Sequence, residues 1–396
     1  MWLKTRHEFP RKVKKQQYAA MSVFFLVGFF YAAWAPLIPY ASDRLFLDEA
    51  SLSIMLLCFG LGSIITMPIT GVLAGRFSCH RVILVASALL AASFPLLAIL
   101  DHFILMCVVL LLFGGCVGAV DVAANIQASI VQKKSHVVMM PVFHAFYSIG
   151  SLTGSGYLIF LLWIGLPVSW AAFSCVLFIA APLLLFSHSF LHHIPTREER
   201  KTVVFPRGIV IVLGLMCFIV YLAEGVIANW SALYMLQYKG FEKSYAALGY
   251  SVFVAAVALG RLSGEGLIRT LGGIGRAVFI GSVTAVGGML LFMEILPGFW
   301  AMAGYFLLGF GVSNIVPIIF IAAGSQHRVP LNAAIAAVTT IGYSGTVLGP
   351  VIIGLIAHGS SLQTAFWFNI TLLVLLAGIA RVVFRPVYGL VGPTGK

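Results

Sequence analysis

Long apolar runs separated by short polar turns repeat from one end of the chain to the other. Stretches near 17–41, 50–74, 81–100, 103–130, 140–165, 168–190, 208–236, 245–268, 276–296, 299–323, 332–358 and 362–384 each reach the length of about 20 residues that a helix needs to cross a bilayer. The first of them is too long for a signal-peptide core, which runs to about 15 residues. The longest polar break, LHHIPTREERKTVVFP, starts at Leu191 and divides the twelve runs six and six. The pattern predicts an all-α membrane protein of twelve transmembrane helices in two six-helix halves, 17–190 and 208–384. A basic N-terminus (1–16), a central loop (191–207) and a short tail (385–396) complete it. Spans and turns consume the chain and leave no room for a soluble catalytic domain.

Composition sharpens this picture. Hydrophobic residues make up 61% of the chain and charged residues 9%, with a mean hydropathy of +1.05. Soluble domains carry about 25% charged residues, so an ordinary cytosolic protein is excluded. The net charge of +12 would suggest nucleic acid in a soluble chain, but here the cations cluster in the turns. With the N-terminus inside, all of the 24 Lys and Arg except Arg44, Lys239 and Lys243 fall on the cytosolic side. Positive-inside sorting explains that bias and predicts both termini in the cytoplasm. The six cysteines are scattered and show no metal-ligand spacing, and no P-loop or hydrolase motif is present. No cofactor, no metal and no nucleic-acid partner is expected.

Each half carries a Gly/Arg turn after its second run, Gly71 to Ser78 with Gly75-Arg76, and Gly260-Arg261 to Gly266 with Arg269 beyond. These turns, the charged central loop and the six-plus-six order resemble the major facilitator superfamily. The stretches Ala33-Trp34 to Pro39, Val120 to Ile126, Met140 to Gly150, and Ala223-Glu224-Gly225 with Trp230 are similar to its YbjJ-like branch, related to fucose-permease-type symporters. The resemblance implies a secondary transporter. Three departures stand beside it: Gly75 replaces the usual acid before the turn arginine, Arg269 holds the equivalent second-half place, and the first run has no carboxylate.

Ionisable side chains deep in a bilayer are expensive, so each is a functional candidate. Asp121 lies in the fourth run with Asn125 one turn on, sharing a face with Gly114 and Gly118. The acid suits proton coupling; the glycines suit a helix-packing seam. Glu224 is the acid near the middle of the seventh run, flanked on its helix by Tyr221, Asn229 and Trp230. It suits proton coupling or substrate binding, or an internal structural pair. His144 opens a stripe with Ser148, Ser151 and Ser155, and suits a proton relay or a simple hydrogen-bonded histidine. Tyr147, Asn314 and Tyr343 complete the candidate cavity. Arg76, Arg81, Arg261, Glu265 and Arg269 are candidate gate residues able to form ion pairs between helix ends.

The expected activity is proton-coupled movement of a small polar solute, sugar-like among the options, across a bacterial inner membrane by alternating access of a monomer. Its partners would be the solute, protons and the lipid bilayer. Two alternatives stand: a proton-driven efflux antiporter, and a transporter-like sensor or scaffold without flux.

Overall fold

The computed structural model describes residues 11–47, 49–135, 137–187, 206–241 and 248–384. Most of the basic N-terminus, nearly all of the central loop, Lys243 and the tail lie outside the described residues. The chain forms two compact units, Met1–Phe205 with Val329–Ala336, and Pro206–Arg328 with Ala337–Lys396.

Every predicted run is largely helical over its described residues. The first unit is built from α1 (Arg11–Ala33), α2 (Ile38–Leu45), α3 (Glu49–Phe77), α4 (Cys79–Ile99), α5 (Phe103–Ser135), α6 (Met140–Trp163) and α7 (Val168–Ser187). Then come α8 (Ile209–Lys239), α9 (Leu248–Leu262), α10 (Gly264–Thr270), α11 (Ile274–Leu290), α12 (Ala301–Val312), α13 (Ile315–Ser325), α14 (Leu331–Gly359) and α15 (Leu362–Val383). Among the described residues, 10 helical stretches are long and apolar enough to span a membrane, α12 and α13 counting as one. The pair α9 and α10, bent by 68°, makes an eleventh. The 20-residue α7 adds a shorter apolar stretch, Val168–Phe178, among the described residues. No strand occurs among the described residues.

Lipid tails are as apolar as leucine, so burial alone does not hold such helices together; close backbone approach and interhelical hydrogen bonds do. Within the first unit, α3 packs on α5 and α1 on α6. A Cβ on Gly114 would run into the Phe59 carbonyl, and one on Gly150 into the Phe25 carbonyl. Two hydroxyls stitch the first seam, Ser63 Oγ donating to the Gly114 carbonyl at 2.7 Å and Thr66 Oγ1 to the Gly115 carbonyl at 2.8 Å. The second unit repeats the device. Gly309 of α12 meets the Phe253 carbonyl of α9, and Gly345 of α14 meets the Phe218 carbonyl of α8. Aromatic rings fill what remains: Phe94 lies 5.2 Å from Phe30 and 5.8 Å from Phe113, and Phe292 stacks on Tyr305 at 4.2 Å.

Two of the three cations that break the charge bias have a structural reason to do so. Arg44, in α2, donates to the carbonyls of Leu100, Ala98 and Leu97 at 2.7, 2.7 and 2.8 Å. It closes the C-terminal end of α4, whose last carbonyls have no helical partner. Lys239, ending α8, donates to the carbonyls of Met293 and Leu296 at 2.8 and 3.2 Å, where a π turn ends the α11 span. A positive charge at a helix C-terminus also meets the favourable end of its dipole.

Candidate functional site

The second unit gathers its polar groups where α12 breaks. Val312 ends α12 and Ile315 starts α13, with Ser313 and Asn314 between them. Pro317 explains the break's chemistry: a proline has no N–H, so the carbonyl four residues back, that of Ser313, loses its helical donor. Arg261, in the last turn of α9, supplies one instead, Nε donating to the Ser313 carbonyl at 3.3 Å. The same guanidinium reaches Glu224 of α8, Nη2 to Oε1 at 3.5 Å. Asn314 ties the break to α9, its Nδ2 donating to the Gly260 carbonyl at 2.7 Å and to Ser313 Oγ at 3.1 Å. Arg261 is 8% exposed and Asn314 5%. Gly260 lets the helices meet, since a Cβ there would strike the Ser313 hydroxyl. Three helices therefore hold an acid, a base and an amide in one place.

The first unit has a sparser counterpart. Asp121 sits close to the midpoint of α5 and is half-buried. Asn125 is fully buried, its Nδ2 donating to the Asp121 carbonyl at 3.0 Å and to Oδ1 at 3.3 Å, while its own Oδ1 has no partner. No cation pairs with Asp121 among the described residues. Gly114 and Gly118 face α3 and serve the packing seam. Acid and seam thus coexist on one helix.

Other candidates take plainer positions. His144 is buried with its ring edge-on to Phe24 at 5.2 Å. The hydroxyls of Ser148, Ser151 and Ser155 donate to carbonyls one turn back, as membrane serines commonly do. Tyr147 lies 6.3 Å from the Tyr31 ring. The Tyr221 ring covers Gly342 of α14, and Trp230 covers Gly354. Asn229 is exposed and donates to the Gly225 carbonyl at 2.8 Å. Tyr343 is half-buried on α14.

The expected gate set is divided. Arg76 and Arg81, beside the turn joining α3 to α4, are exposed and form no ion pair among the described residues. Glu265 and Arg269 lie on α10, beyond the 68° bend, and Glu265 is half-buried without an ion pair among the described residues. Arg261 and Glu265 are not brought together, because Arg261 turns to Glu224 and the freed Ser313 carbonyl. Sequence reasoning missed Ser313. Its signal was the proline four residues on, next to the glycine-rich run of Gly309 and Gly311.

The fold and these clusters define a multi-pass membrane protein. Residues 20–331 match the model of the Major Facilitator Superfamily, and the chain belongs to that family. It is 42% identical to an uncharacterised MFS-type transporter of Yersinia pestis, over 93% of this chain and 96% of that one. An uncharacterised transporter of Sinorhizobium fredii is 32% identical over 91% and 96%. Among solved structures, the fucose:proton symporter of E. coli aligns with a TM-score of 0.75 at 18% identity, over 95% of this chain and 100% of that one. The human organic anion transporter TETRAN aligns at 0.76 and 16%, over 94% and 100%. Likenesses at such identities establish a shared fold. The protein is an MFS transporter, of a family that handles small molecules.

Proposed function

We propose that this transporter couples protons to the movement of a small polar solute, with sugar-like molecules among the options. It works by alternating access in a bacterial inner membrane, as a monomer of the YbjJ-like branch with both termini in the cytoplasm. The carrying observation is that each unit holds one acid near the middle of a long apolar helix, in opposite settings. Among the described residues, Glu224 faces Arg261 and Asp121 faces an amide. Taking up a proton at Asp121 breaks no ion pair among the described residues, so Asp121 suits the coupling site. Glu224, Arg261 and Asn314 present a carboxylate, a guanidinium and an amide, the donors and acceptors that hydroxyl-bearing solutes need. His144, Tyr147, Tyr221, Asn229, Trp230 and Tyr343 are secondary cavity candidates.

The test is solute uptake into proteoliposomes under an imposed pH gradient, with a panel of sugars, polyols, organic acids and hydrophobic drugs. Asp121→Asn is expected to abolish gradient-driven accumulation while leaving equilibrium binding within about twofold, since the isostere keeps the Asn125 contact. Coupled accumulation that survives Asp121→Asn overturns the coupling assignment. Extrusion of hydrophobic drugs in place of polar uptake would establish antiport instead.

A further inference from the structure

Away from the acids, the second unit contains a cavity of ≈ 780 Å³. Its walls are the first turn of α8, through Ile209 and Val212, and the last turns of α15, through Leu375, Gly378 and Val382. Leu375 and Val382 are each 53% exposed, so this apolar trough opens onto the face that α15 turns outward. From Leu375 to Val382 it runs about 10 Å along the helix. Its mouth is different. His327 and Arg328, in the turn after α13, are both exposed and line the same cavity. The Arg328 guanidinium makes no ion pair among the described residues, and its Nη1 lies 3.8 Å from where a Cβ on Gly208 would stand. Gly208 is the N-cap of the 31-residue α8, and no side chain caps that end. Among the described residues this guanidinium has no ion pair and this helix N-terminus no side-chain cap, and both favour an anion.

We propose that this cavity is a binding site for an anionic phospholipid. The headgroup phosphate sits between Arg328 and the first N–H groups of α8, and an acyl chain lies in the trough between α8 and α15. The occupant is a lipid rather than a free phosphate ester because the walls are apolar and open outward. Gly378 contributes space: a Cβ there meets nothing within 4 Å. A basic pocket between spans at the cation-rich end of the molecule is the arrangement that recognises acidic headgroups. The leaflet, the cytoplasmic one, rests on the proposed topology; the site itself is independent of the transported solute.

The experiment uses the full chain purified in detergent, with thermal stabilisation read against added phosphatidylglycerol, phosphatidylethanolamine or glycerol 3-phosphate. Phosphatidylglycerol is expected to stabilise the parent protein, with the other two weaker or inert. Arg328→Gln is expected to lower the apparent affinity for phosphatidylglycerol about fivefold, the loss of one cation near an anionic headgroup. Gly378→Leu fills the trough on an open helix face, so it is expected to fold normally and lose the lipid with Arg328 intact. Equal responses to the two lipids, an equal response to glycerol 3-phosphate, or parent-like affinity in both variants would overturn the assignment. So would indifference to lipid combined with destabilisation by Glu198→Gln plus Glu199→Gln, which would name the chain's own central loop as occupant. A change of oligomeric state on Gly378→Leu would name a second copy and overturn it too.

Discussion

Replacing Glu224 with glutamine would take from the buried Arg261 guanidinium the carboxylate it meets beside the Ser313 carbonyl. The pair is 3.5 Å apart, with side chains 9% and 25% exposed. At an effective dielectric near 20, the attraction at that distance is about 5 kcal/mol. Desolvation of both groups offsets much of that, so the pair contributes little net stability against an apolar pair of the same size. Removing one partner is another matter, because the remaining charge keeps its desolvation cost; the expected loss is about 3–5 kcal/mol. Arg261→Met should destabilise too, by leaving Glu224 without its guanidinium and the Ser313 carbonyl without its donor. The double variant Glu224→Gln, Arg261→Met strands no charge and loses only the donor to the Ser313 carbonyl, so it should recover part of the loss, giving a coupling of about 2 kcal/mol or more. Unfolding of the purified protein in detergent, followed by tryptophan fluorescence across all four members of the cycle, measures it. Single losses that add within about 0.5 kcal/mol in the double variant would refute the pairing.

Gly150→Val drives a branched side chain into the Phe25 backbone and should cost about 3 kcal/mol, visible as a lower melting temperature and loss of monodisperse protein. Arg44→Ala removes three bonds to the end of α4 at a half-exposed site and should destabilise by about 2 kcal/mol, while Arg76→Ala, exposed and unpaired, should stay within about 0.5 kcal/mol. Equal melts for the two variants would contradict the capping role. Pro317→Ala returns an N–H that competes for the Ser313 carbonyl, and the Glu224–Arg261 coupling measured in that background should change; an identical value would show that the proline does not position Arg261.

The spans were readable because span formation is a local matter. A run of about 20 apolar residues must satisfy its own backbone in lipid, and only a helix does so. Asp121 and Asn125 were readable as a pair for a related reason, since residues one turn apart on a helix are neighbours wherever that helix goes. Glu224 announced itself through the cost of burying charge. What each acid faces was not readable. Arg261 was readable as a gate residue able to form an ion pair, but not as the partner of Glu224, and Arg44 and Lys239 looked like exceptions to a charge count. Their partners come from helices far away in sequence: α8 for Arg261, the end of α4 for Arg44, the end of the α11 span for Lys239. Local chemistry already supplied the needs, a carbonyl freed by Pro317 and helix ends short of donors. Which cation met each need depended on how closely the helices approach, and glycines pressed against backbone carbonyls set that approach in three dimensions.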